Sequence, residues 1–430
     1  MQGHVTPLMK LSHKIAEYGF KVSFLVTEFI HAQMVAAAPE LGGPGPVRLI
    51  SVPDGLEPED DRGDEGKVAA SIYKVMPGQL EDFIVKTNGS GESDPISCVL
   101  ADVAFGWAFE IARKMGLQGA MLWSASPGCL ALALSIPKLV EFGVIDNNGT
   151  LLKNEKRELS PTLPPMSPSQ FTWNSPGHFT TQKAMFDYIQ VLSQTMRNAD
   201  WLLCNWFQEL NVSLDSLAPN LLSIGPVLSK GQSSGNFCRE DSTCLSWLDK
   251  QLPRSVIYIA FGSTSKLSKD QLDALALGLE LVGRPFLWVV RQYTEMFKER
   301  VTKIGKVVDW APQERVLAHP SIGCFFTHCG WNSIMEGISM GVPFLCWPYF
   351  ADQLYNQTCV CDGWKIGLAL ETDARGIVSG HELKNKLEAI LFDDVIRANA
   401  LKLKEMAGAS ICQGGSSLGN FQHFLEQIKH

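Results

Sequence analysis

The stretch THCGWNSIMEG, Thr327 to Gly337, gathers a histidine, a tryptophan, an amide, a hydroxyl and a carboxylate around two glycines. The preceding letters, IGCFFTH, read as a buried strand; Cys329 and Gly330 make a turn, and a helix begins at Asn332 and Ser333. A helix start exposes backbone N–H groups without intrahelical acceptors at the positive end of the macrodipole, so it favours an anion, most often a phosphate. His328 at the strand end can add a donor. Glu336 follows Ser333 by three residues and Asn332 by four, which puts all three on one helix face. A carboxylate one turn above a phosphate is badly placed for the phosphate and well placed to accept hydrogen bonds from ribose hydroxyls. The set therefore predicts a nucleotide site. Singly, Ser333 reads equally as a helix cap, Trp331 as core and His328 as a satisfied polar group; the combination carries the signal.

The elements around this stretch repeat one rhythm. From Ser255 onward short β-branched or aromatic runs alternate with helical patterns, as in parallel βαβ units. SVIYIAFGS is a strand, followed by a helix with a capping box of Ser268 and Gln271 and a stop at Gly283. PFLWVV, GKVVDW, IGCFFTH and VPFLCW are further strands, with helices at PQERVLAH, NSIMEGISM and YFADQLYNQTCVC. The first half has the same texture: Thr6 is the expected cap of a helix with Pro7 at its first position, ended by Gly19, before the strand KVSFLVT. CVLADVAFGWAFEIARKMG is a strand running into a helix. A segment rich in Gly, Ser and charge, Ser229 to Thr243, marks a linker. The expected class is α/β, two doubly wound domains at 1–234 and 235–430, with the last helix packing back on the first.

Composition narrows the partners. The 430 residues are 45% hydrophobic, enough for two domains, and 37 basic against 45 acidic residues give a net charge of −8. No basic run would neutralise a phosphate backbone, so nucleic acid is not an expected partner. The longest apolar stretches, Cys129 to Ile136 and Val342 to Ala351, fall short of the roughly 20 residues of a membrane span. Eleven scattered cysteines without zinc-like spacing fit free thiols in the cytoplasm. The acidic run Glu57 to Glu65 reads as a solvated loop, and no metal site is expected. Gly89-Ser90-Gly91 follows no strand and opens no helix, which argues against a nicotinamide dehydrogenase.

From Trp310 to Gln353 the chain reads WAPQERVLAHPSIGCFFTHCGWNSIMEGISMGVPFLCWPYFADQ. This resembles, almost without a gap, the plant secondary product glycosyltransferase signature of family 1 glycosyltransferases. PDGLEPEDDR near residue 53, SWLDKQ and FGS at Phe261 extend the likeness over nearly the whole chain. The resemblance implies a GT-B fold, two Rossmann-like domains facing a cleft, and a monomeric enzyme that takes a UDP-sugar and a small-molecule acceptor without cofactor or metal. It implies that Trp310 stacks on uracil, that the Ala311 backbone and Gln313 contact the uracil edge and ribose, and that Glu336 holds the ribose hydroxyls. His328, Asn332 and Ser333, at the turn formed with Gly330, would bind the diphosphate together with Ser263, while Trp331, Asp352 and Gln353 would face the sugar. A closing Gln, here Gln353, tilts the donor toward UDP-glucose.

The same resemblance points to His4, in QGHVTPLMKLS, as the base that activates the acceptor hydroxyl, with Asp102 as its partner. Taken alone they read as a surface histidine and a helix cap. A histidine with a pKa near 6.5 is largely neutral at cell pH and can accept a proton, and an aspartate orients the ring. The expected outcome is inversion to a β-glucoside. The acceptor is expected near Phe105, Trp123 to Cys129 and Phe171, as a small lipophilic alcohol or phenol such as a flavonoid, a simple phenolic, a hormone or a terpenoid. Two departures stand out. Relatives carry a hydrophobic strand ahead of the Gln-Gly-His turn, whereas this sequence reads Met1-Gln2-Gly3-His4, which predicts unpaired neighbours and a weakened support for His4. The segment from Arg291 to Val301 is also short. These make a catalytically impaired nucleotide-sugar binder the alternative.

Overall fold

The computed structural model describes residues 2–91, 94–174, 179–210, 214, 217–229, 231, 234–263, 267–291 and 299–429. The shortened segment after Arg291 falls largely at 292–298, outside the described residues. Six strands lie before residue 234: β1 (Val22–Thr27), β2 (Val47–Val52), β3 (Cys98–Asp102), β4 (Gln118–Trp123), β5 (Trp201–Cys204) and β6 (Leu221–Ser223). Six follow: β7 (Val256–Ala260), β8 (Phe286–Val289), β9 (Lys306–Val308), β10 (Ile322–Thr327), β11 (Phe344–Cys346) and β12 (Gly367–Ala369). All pairings between these strands are parallel.

The second set forms one sheet in the order β12-β11-β10-β7-β8-β9. β7 and β10 are buried along their whole length, as strands covered on both faces by helices must be. The chain leaves β7 toward β8 on one side and returns to β10 on the other, so the order reverses between β7 and β10. Ligands of open α/β sheets settle at such a reversal, beyond the carboxyl ends of the strands. The loops that meet there carry Gly262 and Ser263 after β7, and His328 to Gly330 after β10.

The first set forms two sheets, β1-β2 and β3-β4-β5-β6, and β1 does not pair with β3. The helix Gln2–Ala16 bridges them through its side chains: Met9 packs with Phe24 and Val26 of β1, while Leu11 and Ile15 pack with Ala120 and Leu122 of β4 and Leu203 of β5. This helix differs from the sequence expectation. It begins at Gln2, with Pro7 inside it, and Thr6 is no cap: its hydroxyl accepts a hydrogen bond from Gln2 Nε2 at 2.7 Å. Polar partners at Gln2 hold the early start, since Gln2 Oε1 also accepts the Phe237 N–H at 2.9 Å.

The capping box at Ser268 is half formed. Ser268 accepts from the Gln271 N–H, and Gly283 ends the helix at φ 63°. The Gln271 side chain instead exchanges two hydrogen bonds with the Val378 backbone, at 3.0 and 3.2 Å, and so satisfies a main-chain donor and acceptor of a buried residue. At the far end the helix Ser416–Gln427 returns to the first domain. Phe421, Phe424 and Leu425 join the cluster of Leu11, Ile15 and Leu122, and Asn420 Nδ2 donates to the Ser223 carbonyl at 2.9 Å. The eleven cysteines are free thiols. No described helix is long and apolar enough to cross a membrane.

Phe421 is fully buried at this return contact. Phe421→Ala is expected to cost about 3–5 kcal/mol, the usual range for emptying a buried phenylalanine site, seen as a lower urea midpoint of the tryptophan fluorescence transition.

Candidate functional site

The helix after β10 runs from Trp331 to Met340, one residue earlier than the sequence suggests. Gly330 is its N-cap, with φ −63° and ψ 138°, and no side chain hydrogen-bonds to the exposed N–H groups. Ser333 therefore is not a cap, and the first-turn amides keep their capacity for an anion. The His328 ring lies between two glycines. A Cβ on Gly262 would stand 2.7 Å from Nε2 and one on Gly330 2.5 Å from it, so only glycine allows both loops to approach the ring. Burial lowers the His328 pKa to about 4, against a hydrogen bond to the Ala260 backbone that raises it. At neutral pH this is a neutral imidazole, not a cation, and its one N–H goes to the Ala260 carbonyl, so the ring has no proton left to donate to a phosphate as the sequence reading expects.

One turn on, Glu336 is 7% exposed. Its Oε2 accepts from Gln313 Nε2 at 2.7 Å, and the same nitrogen donates to Ser333 Oγ at 2.9 Å. Gln313 Oε1 accepts from the Tyr258 hydroxyl at 3.1 Å. Three of the residues singled out in sequence thus form one bonded group. The other oxygen of Glu336 meets a residue that sequence reasoning missed: Lys10 Nζ, at 2.5 Å, which also contacts Glu314 at 2.6 Å. Burial works against the Lys10 charge, and the two carboxylates outweigh it, so its pKa is raised.

Beside this group the Ala311 side chain is buried, and the half-buried Trp310 lies under the Arg291 guanidinium at 5.5 Å from the ring centre. Arg291 is a second residue without a sequence signal; it also donates to the Gly262 and Ser263 carbonyls. Trp331 turns its indole into the core, 4% exposed, with its N–H on the Asn205 carbonyl at 2.8 Å. Gln353 Oε1 accepts the Tyr349 and Phe350 N–H groups at 3.0 and 3.3 Å. Asp352 accepts from the Ser126 N–H at 3.2 Å and from Asn356 Nδ2 at 3.0 Å, and burial raises its pKa.

Across the cleft, His4 Nδ1 stands 2.9 Å from Asp102 Oδ2. Asp102 is fully buried at the end of β3, while half of the His4 side chain is open. The carboxylate also accepts from the Ala104 N–H at 2.9 Å and from Ser124 Oγ at 3.2 Å. Burial disfavours its charge, but the His4 ring and these donors prevail and hold its pKa below the usual carboxylate range. In turn the Asp102 charge, opposed by desolvation, raises the pKa of His4 above 6.5. With Nδ1 directed at Asp102, Nε2 is the nitrogen left for a substrate proton. Asn332 Nδ2 donates to the Gly3 carbonyl at 2.9 Å, so the start of the helix that carries His4 is fastened to the start of the Trp331–Met340 helix.

The apolar wall beside the dyad differs from the sequence reading. Phe171 and Trp123, 0% and 3% exposed, belong to the core. The aromatic side chains that remain open near Asp102 are Tyr73, whose hydroxyl donates to the Ala104 carbonyl, and Tyr188, whose pKa is raised by burial first and then by the Asp102 and Tyr73 charges. Helix periodicity alone gives no sign of either, since both sit in unremarkable amphipathic stretches.

A family profile described as "UDP-glucoronosyl and UDP-glucosyl transferase" matches residues 225–408. UDP-glycosyltransferase 83A1 of Arabidopsis thaliana is 40% identical over 445 residues, covering 100% of this chain and 95% of the relative. Gallate 1-beta-glucosyltransferase 84A24 of Punica granatum is 32% identical, over 100% of this chain and 87% of the relative. Among solved structures, Os79 from O. sativa in complex with UDP superposes with a TM-score of 0.83 at 25% identity, covering 100% of this chain and 98% of that one.

The two histidines are expected to titrate far apart. In an NMR titration of the ring Cε1–H signals, His4 should show a midpoint above 6.5 that moves down in Asp102→Asn, whereas His328 should remain neutral until the pH nears 4. A His4 midpoint unmoved by Asp102→Asn would contradict the pairing.

Proposed function

We propose, for a chain that belongs to the plant family 1 UDP-glycosyltransferases, has their GT-B fold and moves a glycosyl group from a UDP-sugar, that the donor is UDP-glucose and the product a β-glucoside of a small lipophilic alcohol or phenol. Nδ1–H of His4 donates to Asp102, and Nε2 takes the proton of the acceptor hydroxyl. The freed oxygen attacks the anomeric carbon on the face opposite UDP, the bond to the diphosphate oxygen breaks, and an α-linked donor yields a β-linked product. Charge that develops on departing UDP is stabilised by the N–H groups at the start of the Trp331–Met340 helix, with the Ser263 hydroxyl as a further donor. Because these donors are fixed before the reaction, they need little reorganisation as the bond breaks.

Trp310 would stack on uracil, beside the Ala311 backbone, and Gln313, Ser333 and Glu336 would meet the ribose and the diphosphate. The Gln353 amide, its oxygen committed to Tyr349 and Phe350, has N–H groups left to offer a sugar hydroxyl, and Asp352 lies across from His4. Gln353 and the glucosyl relative support glucose as the sugar. Tyr73 and Tyr188 make the open side of the acceptor site aromatic, which favours a flat or apolar acceptor. The observation that carries the reading is His4 seated on a buried Asp102 while its helix is bonded to Asn332 of the donor helix. That arrangement favours turnover over a bare nucleotide-sugar binder.

The test is incubation with UDP-glucose and pooled phenolic and terpenoid acceptors, with products read by mass. His4→Ala should lose about 10²–10⁴-fold in kcat, the usual worth of a positioned base, with UDP affinity nearly unchanged. A base must be unprotonated, so kcat/KM should fall as the pH drops through the raised His4 pKa and level off above it. Saturable UDP binding without any glucoside would leave a nucleotide-sugar binder instead.

A further inference from the structure

Lys10 is 5% exposed and lies six residues beyond His4 on the same helix. Its ammonium reaches across the cleft to two carboxylates of the second domain, Glu336 at 2.5 Å and Glu314 at 2.6 Å. Two carboxylate oxygens bonded to one nitrogen are close neighbours, and like charges held that near in a dry site repel strongly unless a cation separates them. The surroundings sharpen the imbalance. Glu240 feels the charges of Glu314, Lys10 and Arg315, so three carboxylates share the region with two cations.

The remaining bonds show what each carboxylate does. Glu314 is fixed from outside the donor seat by the N–H and hydroxyl of Ser229, at 3.0 and 2.8 Å. Glu336 is fixed from within it by Gln313. Lys10 is the link between the two, and the mechanism proposed above does not use it.

We propose that Lys10 is a positioning residue for the sugar nucleotide: by separating Glu336 from Glu314 it keeps the Glu336 carboxylate turned toward the ribose hydroxyls. This rests on the ribose role of Glu336 in the preceding reading. Without the ammonium, Glu336 would swing from Glu314 or take up a proton, and either change removes an acceptor from the ribose. A charged acceptor matters here, since hydrogen bonds to charged groups are stronger than those between neutral partners.

The experiment compares the Kd of UDP with that of 2′,3′-dideoxyuridine diphosphate by calorimetry, in the full chain. The wild type should prefer UDP by about tenfold or more, as loss of hydrogen bonds to a charged acceptor implies. Lys10→Met should shrink that preference toward one, and Lys10→Arg should retain most of it. The decisive variant is Lys10→Met with Glu314→Gln. Removing the second negative charge should restore the preference, because Gln can still accept from Ser229; a packing role for Lys10 would not be rescued in this way. A preference unchanged in Lys10→Met, or a double variant as poor as the single one, would overturn the proposal. If Lys10→Met does not fold, the double variant, whose local net charge equals that of the wild type, still reads the preference directly. Glu336→Gln separates the two failures: a preference that survives it removes the ribose assignment itself, whereas a preference lost there but kept in Lys10→Met removes only the role of Lys10.

Discussion

The Lys10 ammonium and the carboxylates of Glu336 and Glu314 have left water together, and a buried charge is tolerable only while its partners are in place. Those partners belong to different domains. The contact therefore favours one relation between the helix Gln2–Ala16 and the helix Trp331–Met340, and it does so by electrostatics in a dry cleft instead of by apolar area. His4 rides on the first of these helices and the anion seat is the start of the second. The distance between His4 and the start of the Trp331–Met340 helix is thus tied to this same buried contact.

Around this frame the site divides its polar groups by environment. His328 is lodged between glycines, loses its charge to burial and gives its one N–H to the Ala260 backbone, which suits a group that shapes the turn between β10 and its helix. His4 keeps half its surface open and gains basicity from Asp102, which suits a group that must collect a proton. The two imidazoles differ only in what surrounds them, and their pKa values are pushed in opposite directions.

Much of the fold was legible because its signals are local. The run SVIYIAFGS became β7, Gly283 and Gly341 ended their helices in the left-handed conformation, and the strand-turn-helix at His328 to Glu336 stands one residue from where its letters placed it. What failed depended on partners distant in sequence. Thr6 is a sound cap by type, yet the helix starts earlier because Gln2 finds Asn236 and Phe237. Gln271 has the spacing of a capping box, but Val378 claims its side chain. Trp331 sits where a sugar contact was expected and turns to the Asn205 carbonyl. Lys10, between the buried Met9 and Leu11, has its partners 304 and 326 positions away, and no linear pattern names them.

Pro7 lies within the helix Gln2–Ala16, where an ordinary residue would turn its N–H back to the carbonyl four positions earlier, that of Gly3. Proline has no such hydrogen, so the Gly3 oxygen is left without its helical partner, and Asn332 of the opposite domain takes the vacancy. A defect in one helix is thereby converted into a fastener for another. The residue that would ordinarily weaken a helix interior here makes the two lobes adhesive at the point where His4 and the start of the Trp331–Met340 helix face each other, and its missing N–H is the reason.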